Sequence, residues 1–196
     1  SGSQAVQTAK VLTTFDEVLL ERRSDLVLVV GDATSTLACA LCAAKRNIPV
    51  AHVEAGLRSF DRMMPEEINR IVTDAVSSLL FTTSAEADAN LLREGFPPDR
   101  VHRVGNVMID SLFHALETAN RSPILSTLGV QPKGYALATL HRVSNVDHPE
   151  TLKGILSALR DIQRHIPLVF PIHPRTRKNL AAFGLQDQVS AMSNAI

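Results

Sequence analysis

Short aliphatic runs alternate with amphipathic segments along almost the whole chain, and this alternation restricts the fold more than any other feature of the sequence. Asp25–Val30 and Ile48–Val53 are nearly continuous apolar runs, which is typical of strands buried on both faces of a parallel sheet. Further strands are predicted over 79–82, 101–104, 135–139 and 166–172. Helical periodicity predicts helices over 4–23, 34–46, 84–94, 108–119, 148–165 and 174–183, and another that begins at Pro65. Such repetition predicts an α/β fold with doubly wound parallel sheets.

The alternation is interrupted once, which predicts two domains. Residues 120–134 are rich in turn-forming residues and are predicted to be a linker. We expect one Rossmann-like domain over 1–119 and the start of a second over 135–196. The first block begins with a helix instead of a strand, and the second offers only two strands where five or six are usual. We therefore expect both domains to be incomplete, with the chain forming the middle of a longer protein.

Charge and cysteine content restrict the partners and the compartment. Twenty Lys and Arg balance twenty Asp and Glu, which argues against recruitment by nucleic acid or by an anionic membrane surface. No apolar stretch approaches the roughly 20 residues of a membrane span, and no signal-peptide pattern opens the chain. Cys39 and Cys42 lie in an apolar helical run, where free thiols pack as small hydrophobes. We therefore expect a cytoplasmic protein.

Polar side chains follow several predicted strands at the point where each strand ends. Ligands of open α/β sheets bind beyond the carboxyl ends of the strands. This rule directly selects five residues: Asp32, Glu54, His141, Arg142 and His173. Two acids at a helix start, Glu66 and Glu67, could face the same edge of the sheet. We expect these side chains to converge on one crevice.

Each candidate also has a structural interpretation. Asp32 could accept the backbone N–H of Thr34 as a helix cap, and Glu66 and Glu67 suit the positive end of a helix dipole. A carboxylate delivered by an apolar run into a glycine turn, as at Glu54, is harder to explain by packing. His141 beside Arg142 combines a titratable ring with a phosphate-binding fork.

Familiar motifs of other enzyme classes do not occur in the sequence. It contains no G-x-G-x-x-G, no P-loop and no G-x-S-x-G, so nicotinamide chemistry, NTP hydrolysis and an α/β-hydrolase triad all lack their motif. A dinuclear metal site would need a Gly-Asn-His cluster, but Gly105-Asn106 is followed by Val107. We expect no metal.

Six segments together resemble one family. They occur in the following order: Gly31-Asp32, HVEAGLR over 52–58, PEEINR over 65–70, GNVMID over 105–110, TLHR over 139–142, and His173-Pro174. This set resembles the non-hydrolysing UDP-N-acetylglucosamine 2-epimerases over essentially the whole chain. The resemblance implies a two-domain, GT-B-like fold with its active site between the domains. It also implies interconversion of UDP-GlcNAc and UDP-ManNAc at C2, with no cofactor, by a cytoplasmic homodimer when full length.

The resemblance implies a role for each candidate residue. The catalytic group would comprise Asp32, Glu54, Glu66 and His141, whereas Glu67, Arg142 and His173 would contact the nucleotide sugar. UDP would be eliminated to leave 2-acetamidoglucal, and readdition would deliver the C2 proton to the opposite face. Which carboxylate is the acid and which is the base stays open.

The chain departs from the family pattern at several places. The opening Gly-Thr-Arg-Pro-Glu segment would precede Ser1, and the Ser-Gly-Gly stretch that holds UDP would follow Ile196. We therefore expect little turnover by the 196 residues alone. Ala33 and Ser144 replace a usual Thr and Glu, which alters hydrogen bonding around the site. Two alternatives stay open: a hydrolysing variant that releases ManNAc and UDP, and an inactive fragment that binds nucleotide sugar.

Overall fold

The computed structural model describes residues 3–196 and divides the chain into two compact units, one ending at Leu116 and the other comprising Glu117–Ile196. The predicted linker 120–134 contains a short helix, Ile124–Leu128, within the second unit. The domain limits 1–119 and 135–196 stay a prediction, whereas the α/β class with parallel sheets is confirmed.

The first unit alternates helices with the strands of one sheet. Its elements are α1 (Gln4–Glu21), β1 (Val27–Val30), α2 (Thr34–Lys45), β2 (Val50–Ala55), α3 (Pro65–Val76), β3 (Leu79–Thr82), α4 (Ala85–Arg93), a 3-10 turn (Pro98–Arg100), β4 (Val101–Arg103) and α5 (Val107–Asn120), which crosses into the second unit. The four strands are parallel and lie in the order β1-β2-β3-β4.

The second unit is built around a smaller parallel sheet. Its elements are α6 (Ile124–Leu128), β5 (Ala136–Leu137), α7 (Val143–Val146), α8 (Pro149–Ile162), β6 (Leu168–Val169), α9 (Pro174–Ala182) and α10 (Gln186–Ser190). β5 pairs with β6. Both strands are shorter than predicted, and α6, α7 and α10 lie in segments for which no helix was predicted.

Each unit has its own aliphatic core. In the first, α1, α2 and the sheet enclose Leu19, Val29 and Val50, with the free thiol of Cys42 among them. In the second, Leu152 and Leu156 of α8 pack on Leu168 of β6. The prediction that both apolar runs are buried on both faces is wrong for β1, because Val27 and Val29 are buried whereas Leu28 and Val30 are exposed. Among residues 3–196, no helix has the length and apolar content needed to cross a membrane.

The register of the first sheet places two candidate residues side by side. Val30 of β1 is aligned with Val53 of β2, and the Gly31 N–H donates to the Val53 carbonyl at 3.0 Å. Asp32 and Glu54 therefore emerge from neighbouring strands at one edge. Strand β2 extends to Ala55 instead of ending at Val53, because Ala55 still pairs with Thr82 across an irregularity in the ladder.

Candidate functional site

Glu54 occupies a strained backbone position at the sheet edge. The irregularity between β2 and β3 falls between Val53 and Ala55, and it gives Glu54 a φ of 70°. A left-handed conformation in a residue other than glycine costs about 1–3 kcal/mol and is concentrated at functional sites. A Cβ at Gly31 would lie 3.3 Å from Glu54 Oε2. The Glu54 carboxylate therefore lies against Gly31, next to Asp32.

The carboxylate of Asp32 is held by α3 and does not cap α2. Arg70 Nη1 donates to Asp32 Oδ2 at 2.5 Å, and Asn69 Nδ2 donates to the Asp32 carbonyl at 2.8 Å. The residue at the N-cap of α2 is Ala33, which makes no side-chain cap bond. The capping interpretation of Asp32 is therefore not what the structure adopts.

The two acids in the first turn of α3 have different environments. Glu66 is exposed, whereas Glu67 is 1% exposed and accepts the backbone N–H groups of Ser59 and Phe60, each at 2.9 Å. Burial alone would raise the pKa of Glu67, but these bonds and the Arg70 guanidinium outweigh it and hold that pKa below its ordinary value. Glu67 thus fixes the loop between β2 and α3 in its ionised form, and its predicted contact with the nucleotide sugar stays a prediction.

A buried network beneath this edge was missed by sequence reasoning. His52 and Asp74 are fully buried, and His52 Nδ1 lies 2.6 Å from Asp74 Oδ1 while Nε2 lies 2.9 Å from the Gly31 carbonyl. The other oxygen of Asp74 accepts the Gly56 N–H at 3.1 Å and faces Arg58 Nη1 at 2.8 Å. The signal was a histidine inside a buried strand, since a buried imidazole needs polar partners.

Arg58 connects this network to α4. Burial disfavours its charge, but the hydrogen bond with Glu94 and the charge of Asp74 outweigh that effect and raise the pKa of Arg58. The guanidinium is therefore a permanent cation between the two carboxylates. Because it is buried and paired on both sides, it supports the edge and does not face solvent.

The remaining candidates lie together in the second unit. The rings of His141 and His173 have centroids 5.7 Å apart. His173 is the N-cap of α9, where its Nδ1 accepts the Arg175 N–H at 3.1 Å. Arg142 is the N-cap of α7 and is exposed.

Asp147 reinforces this second group of residues. Arg175 Nε donates to Asp147 Oδ1 at 2.8 Å, and this hydrogen bond lowers the pKa of Asp147. The ion pair joins the end of α7 to the start of α9, and so ties together the segments that position Arg142 and His173.

The structure thus assembles the candidates as two groups. Asp32, Glu54 and Glu67 lie at one edge of the first unit, and Glu66 is exposed beside Glu67 in the first turn of α3. His141, Arg142 and His173 lie together in the second unit. That both groups face one crevice stays a prediction. Within residues 3–196, no three His, Cys, Asp or Glu side chains gather as a set that could hold a metal ion.

The parallel α/β fold of this chain is similar to that of solved UDP-GlcNAc 2-epimerases. The crystal structure of the Methanocaldococcus jannaschii UDP-GlcNAc 2-epimerase, in complex with UDP-GlcNAc and UDP, superposes with a TM-score of 0.90 at 42% identity. This match covers 100% of this chain and 55% of the other. The class is therefore GT-B-like.

The family follows from the sequence comparison. The family model described as UDP-N-acetylglucosamine 2-epimerase matches residues 1–195, and the chain belongs to that family. A Methanococcus maripaludis UDP-N-acetylglucosamine 2-epimerase homolog is 47% identical over 99% of this chain and 54% of its own. A Pseudomonas aeruginosa UDP-2,3-diacetamido-2,3-dideoxy-D-glucuronate 2-epimerase is 45% identical over 97% and 54%. The resemblance seen in the sequence is confirmed, and the chain spans about half the length of these relatives.

Proposed function

We propose that this chain contributes the catalytic carboxylates of an enzyme that interconverts UDP-GlcNAc and UDP-ManNAc. The observation that carries the proposal is Glu54, held in a left-handed bulge with its carboxylate against Gly31 and beside Asp32. A fold retains such strain in a side chain where the position of that side chain matters for function. Family membership and the likeness to a structure with bound UDP-GlcNAc support the choice of reaction.

The chemistry explains why several acids are needed. The C2 proton of the sugar has no neighbouring carbonyl, so its removal requires departure of UDP from C1. The C1–O bond breaks with its electron pair on UDP, a carboxylate takes the C2 proton, and a C1–C2 double bond forms. Readdition of UDP with protonation from the opposite face inverts C2. Proton transfer on two faces and stabilisation of positive charge at C1 call for separate carboxylates.

In this proposal the residues divide the work between the two units. Asp32, Glu54 and Glu66 serve the sugar ring, and Glu67 holds the loop beside them through Ser59 and Phe60. His141 assists the departing diphosphate, and Arg142 and His173 contact the nucleotide sugar; the exposure of all three supports this role.

The substrate class extends beyond UDP-GlcNAc. In the sequence alignments, the chain is 45% identical to the Pseudomonas aeruginosa diacetamido-glucuronate epimerase and 44% identical to the Methanocaldococcus jannaschii UDP-GlcNAc 2-epimerase. In the structural superposition, the identity with the latter is 42%. Both substrates join UDP to a sugar that has an acetamido group at C2. We therefore propose a UDP-2-acetamido sugar as the substrate class, with the diacetamido-glucuronate as the second candidate.

The proposed activity can be tested in a graft protein that has the full length of the relatives. Residues 3–195 would replace the matching segment of the Methanocaldococcus jannaschii enzyme, and this graft protein would be incubated with each UDP sugar in deuterated water. We expect the C2 epimer of at least one substrate with deuterium at C2. Loss of turnover is expected with Glu54→Gln, while Asp16→Asn, which changes a carboxylate paired with Arg46 in the helical layer, serves as the matched control.

Three outcomes would contradict the proposal. The first is that neither UDP sugar gives an epimer or takes up deuterium at C2. The second is that Glu54→Gln leaves turnover unchanged. The third is release of free sugar and UDP in place of the epimer, which would assign hydrolysis instead.

We further propose a cytoplasmic homodimer for the whole protein, bound neither to nucleic acid nor to a membrane. Every residue of α5 is exposed, including Met108, Leu112 and Phe113, and an apolar helical surface of this kind favours association. The formal net charge of +0 supports the proposal that the protein binds neither nucleic acid nor a membrane. The free thiols support the cytoplasmic location. Sedimentation of the graft protein should give a dimer, and Phe113→Ser should weaken it.

A further inference from the structure

Glu54 is flanked by two residues that bind the same carboxylate. His52 lies two positions before it and Gly56 two positions after it, and both contact Asp74, at 2.6 and 3.1 Å. Asp74 belongs to α3, so a single side chain from the helix clamps the strand on either side of the left-handed residue. The two contacts use different oxygens of the carboxylate.

The other contacts of this cluster lock the same backbone. His52 Nε2 reaches the Gly31 carbonyl, which ties β2 to the turn that presents Asp32. The Gly56 carbonyl accepts Asn90 Nδ2 at 2.9 Å, so both polar backbone atoms of Gly56 are bound. His52 and Asp74 are fully buried and lie beneath the edge, which makes them part of the support and not groups that meet substrate.

We propose that Asp74 is a positioning residue that, through His52 and Gly56, holds Glu54 in the bulge and aims its carboxylate across Gly31. Without the clamp, the backbone at Glu54 relaxes toward an extended conformation, since a left-handed φ is unfavourable for glutamate. Relaxation turns the side chain away from the neighbourhood of Asp32. This inference rests on the proposed function for its kinetic consequence, but its structural consequence is independent of it.

The structural consequence is tested on the 196-residue chain itself by amide hydrogen exchange. Asp74→Ala removes both accepting oxygens. Asparagine would not be a clean test, because its NH₂ could donate to Nδ1 of a neutral His52 while its oxygen still accepts the Gly56 N–H. We expect exchange over residues 53–57 to accelerate at least about tenfold relative to the Asp16→Asn variant, since the clamp closes a local opening. His52→Gln is the second variant, with a smaller acceleration expected, because Asp74 then still holds the Gly56 N–H. Equal exchange in all three variants would overturn the proposal.

The kinetic consequence is tested in the graft protein, with rates normalised to the folded fraction. Asp74→Ala should lower kcat about 100-fold, the loss expected from a misplacement near 1 Å, while KM changes less than twofold. In the Glu54→Asp background, where the carboxylate is already displaced, Asp74→Ala should lower kcat less than about threefold, since its effect passes through Glu54.

The two failures are distinguishable. An equal loss of kcat in both backgrounds would overturn the positioning role, because it would reveal an effect of Asp74 that does not depend on Glu54. An unmodified graft without activity would contradict the proposed function, and the exchange measurement would then decide on the clamp by itself.

Discussion

Two left-handed residues stand two positions apart at the edge of the first sheet, and they are different amino acids for different physical reasons. At position 56 only glycine fits, because a Cβ would lie 2.4 Å from the Ala87 carbonyl oxygen and φ is 77°. At position 54 glycine would relieve strain, yet the chain has glutamate at a φ of 70°. The backbone conformation therefore does not explain why position 54 is a glutamate.

Alanine is usually more stabilising than glycine within a strand, and we expect the opposite order at position 54. We expect Glu54→Gly to exceed Glu54→Ala in free energy of unfolding by about 1 kcal/mol, because glycine adopts a left-handed φ without steric cost. Urea unfolding measures this difference. At the extended position of Ala51 in β2, Ala51→Gly should instead destabilise by about 0.5–1 kcal/mol. A lower stability for Glu54→Gly than for Glu54→Ala would count against a strained Glu54.

A comparison of two glycines separates backbone strain from a steric clash. Gly95 also has a positive φ, but a Cβ there meets nothing within 4 Å, so Gly95→Ala should cost only the strain, about 1 kcal/mol. Gly56→Ala should cost about 2 kcal/mol more, because the new methyl group is forced against the α4 backbone. Equal losses in the unfolding measurements would show that α4 moves aside freely.

At the scale of the element, the N-terminal half of α3 organises the acidic edge. Three side chains of this helix make different contacts. Glu67 binds the loop at 59–60, Asn69 binds the Asp32 carbonyl, and Arg70 pairs with the Asp32 carboxylate. One helix thus presents exposed Glu66 and supports the acid from β1. The dipole of α3 suits the acids of its first turn, but their partners decide their roles.

The ionised form of Glu67 should make stability depend on pH. Its pKa is lower in the folded state than the ordinary 4.5, so its contribution is present above pH 4.5 and is lost as pH falls through the folded-state value. We expect Glu67→Gln to cost about 2 kcal/mol at pH 7, from weaker bonds to the two N–H groups. Denaturant unfolding at several pH values should show this difference shrinking in acid. A difference that stays constant down to pH 2 would contradict the ionised contact.

At the scale of the whole molecule, two cores and two sheets divide the chain. Leu80 is fully buried in the first unit, beside Ala55 and Leu91, and Leu156 is fully buried in the second. The clusters that contain them belong to different units. Each unit is therefore expected to depend on its own core for local stability.

Truncation of one core should be felt mainly in its own unit. Leu80→Ala and Leu156→Ala should each destabilise by about 2–5 kcal/mol, through lost transfer energy and the cavity left behind. Hydrogen exchange should lose protection in β1–β3 for Leu80→Ala and in α8 and α9 for Leu156→Ala. Equal loss across both units from either change would show that they unfold as one.

The sequence predicted the ends of the first unit's elements to within two residues, whereas both strands of the second unit are shorter than predicted. Strand β3 was predicted over its observed bounds, 79–82, and helices α2, α4 and α9 differ by a residue at one or both ends. The end of β2 was wrong by two residues. A bulge follows from pairing with a neighbouring strand, which no local pattern contains.

By itself, the sequence determined the α/β class, the family and the identity of the candidate residues, because periodic burial and ordered motifs are local properties of the chain. Only the tertiary structure decided which contacts those residues make: that Asp32 pairs with Arg70, that Glu67 binds backbone, and that Asp74 binds His52 and Gly56 on either side of Glu54. Each of these contacts joins residues on different elements. Their geometry depends on how those elements pack, which the order of amino acids along one segment does not contain.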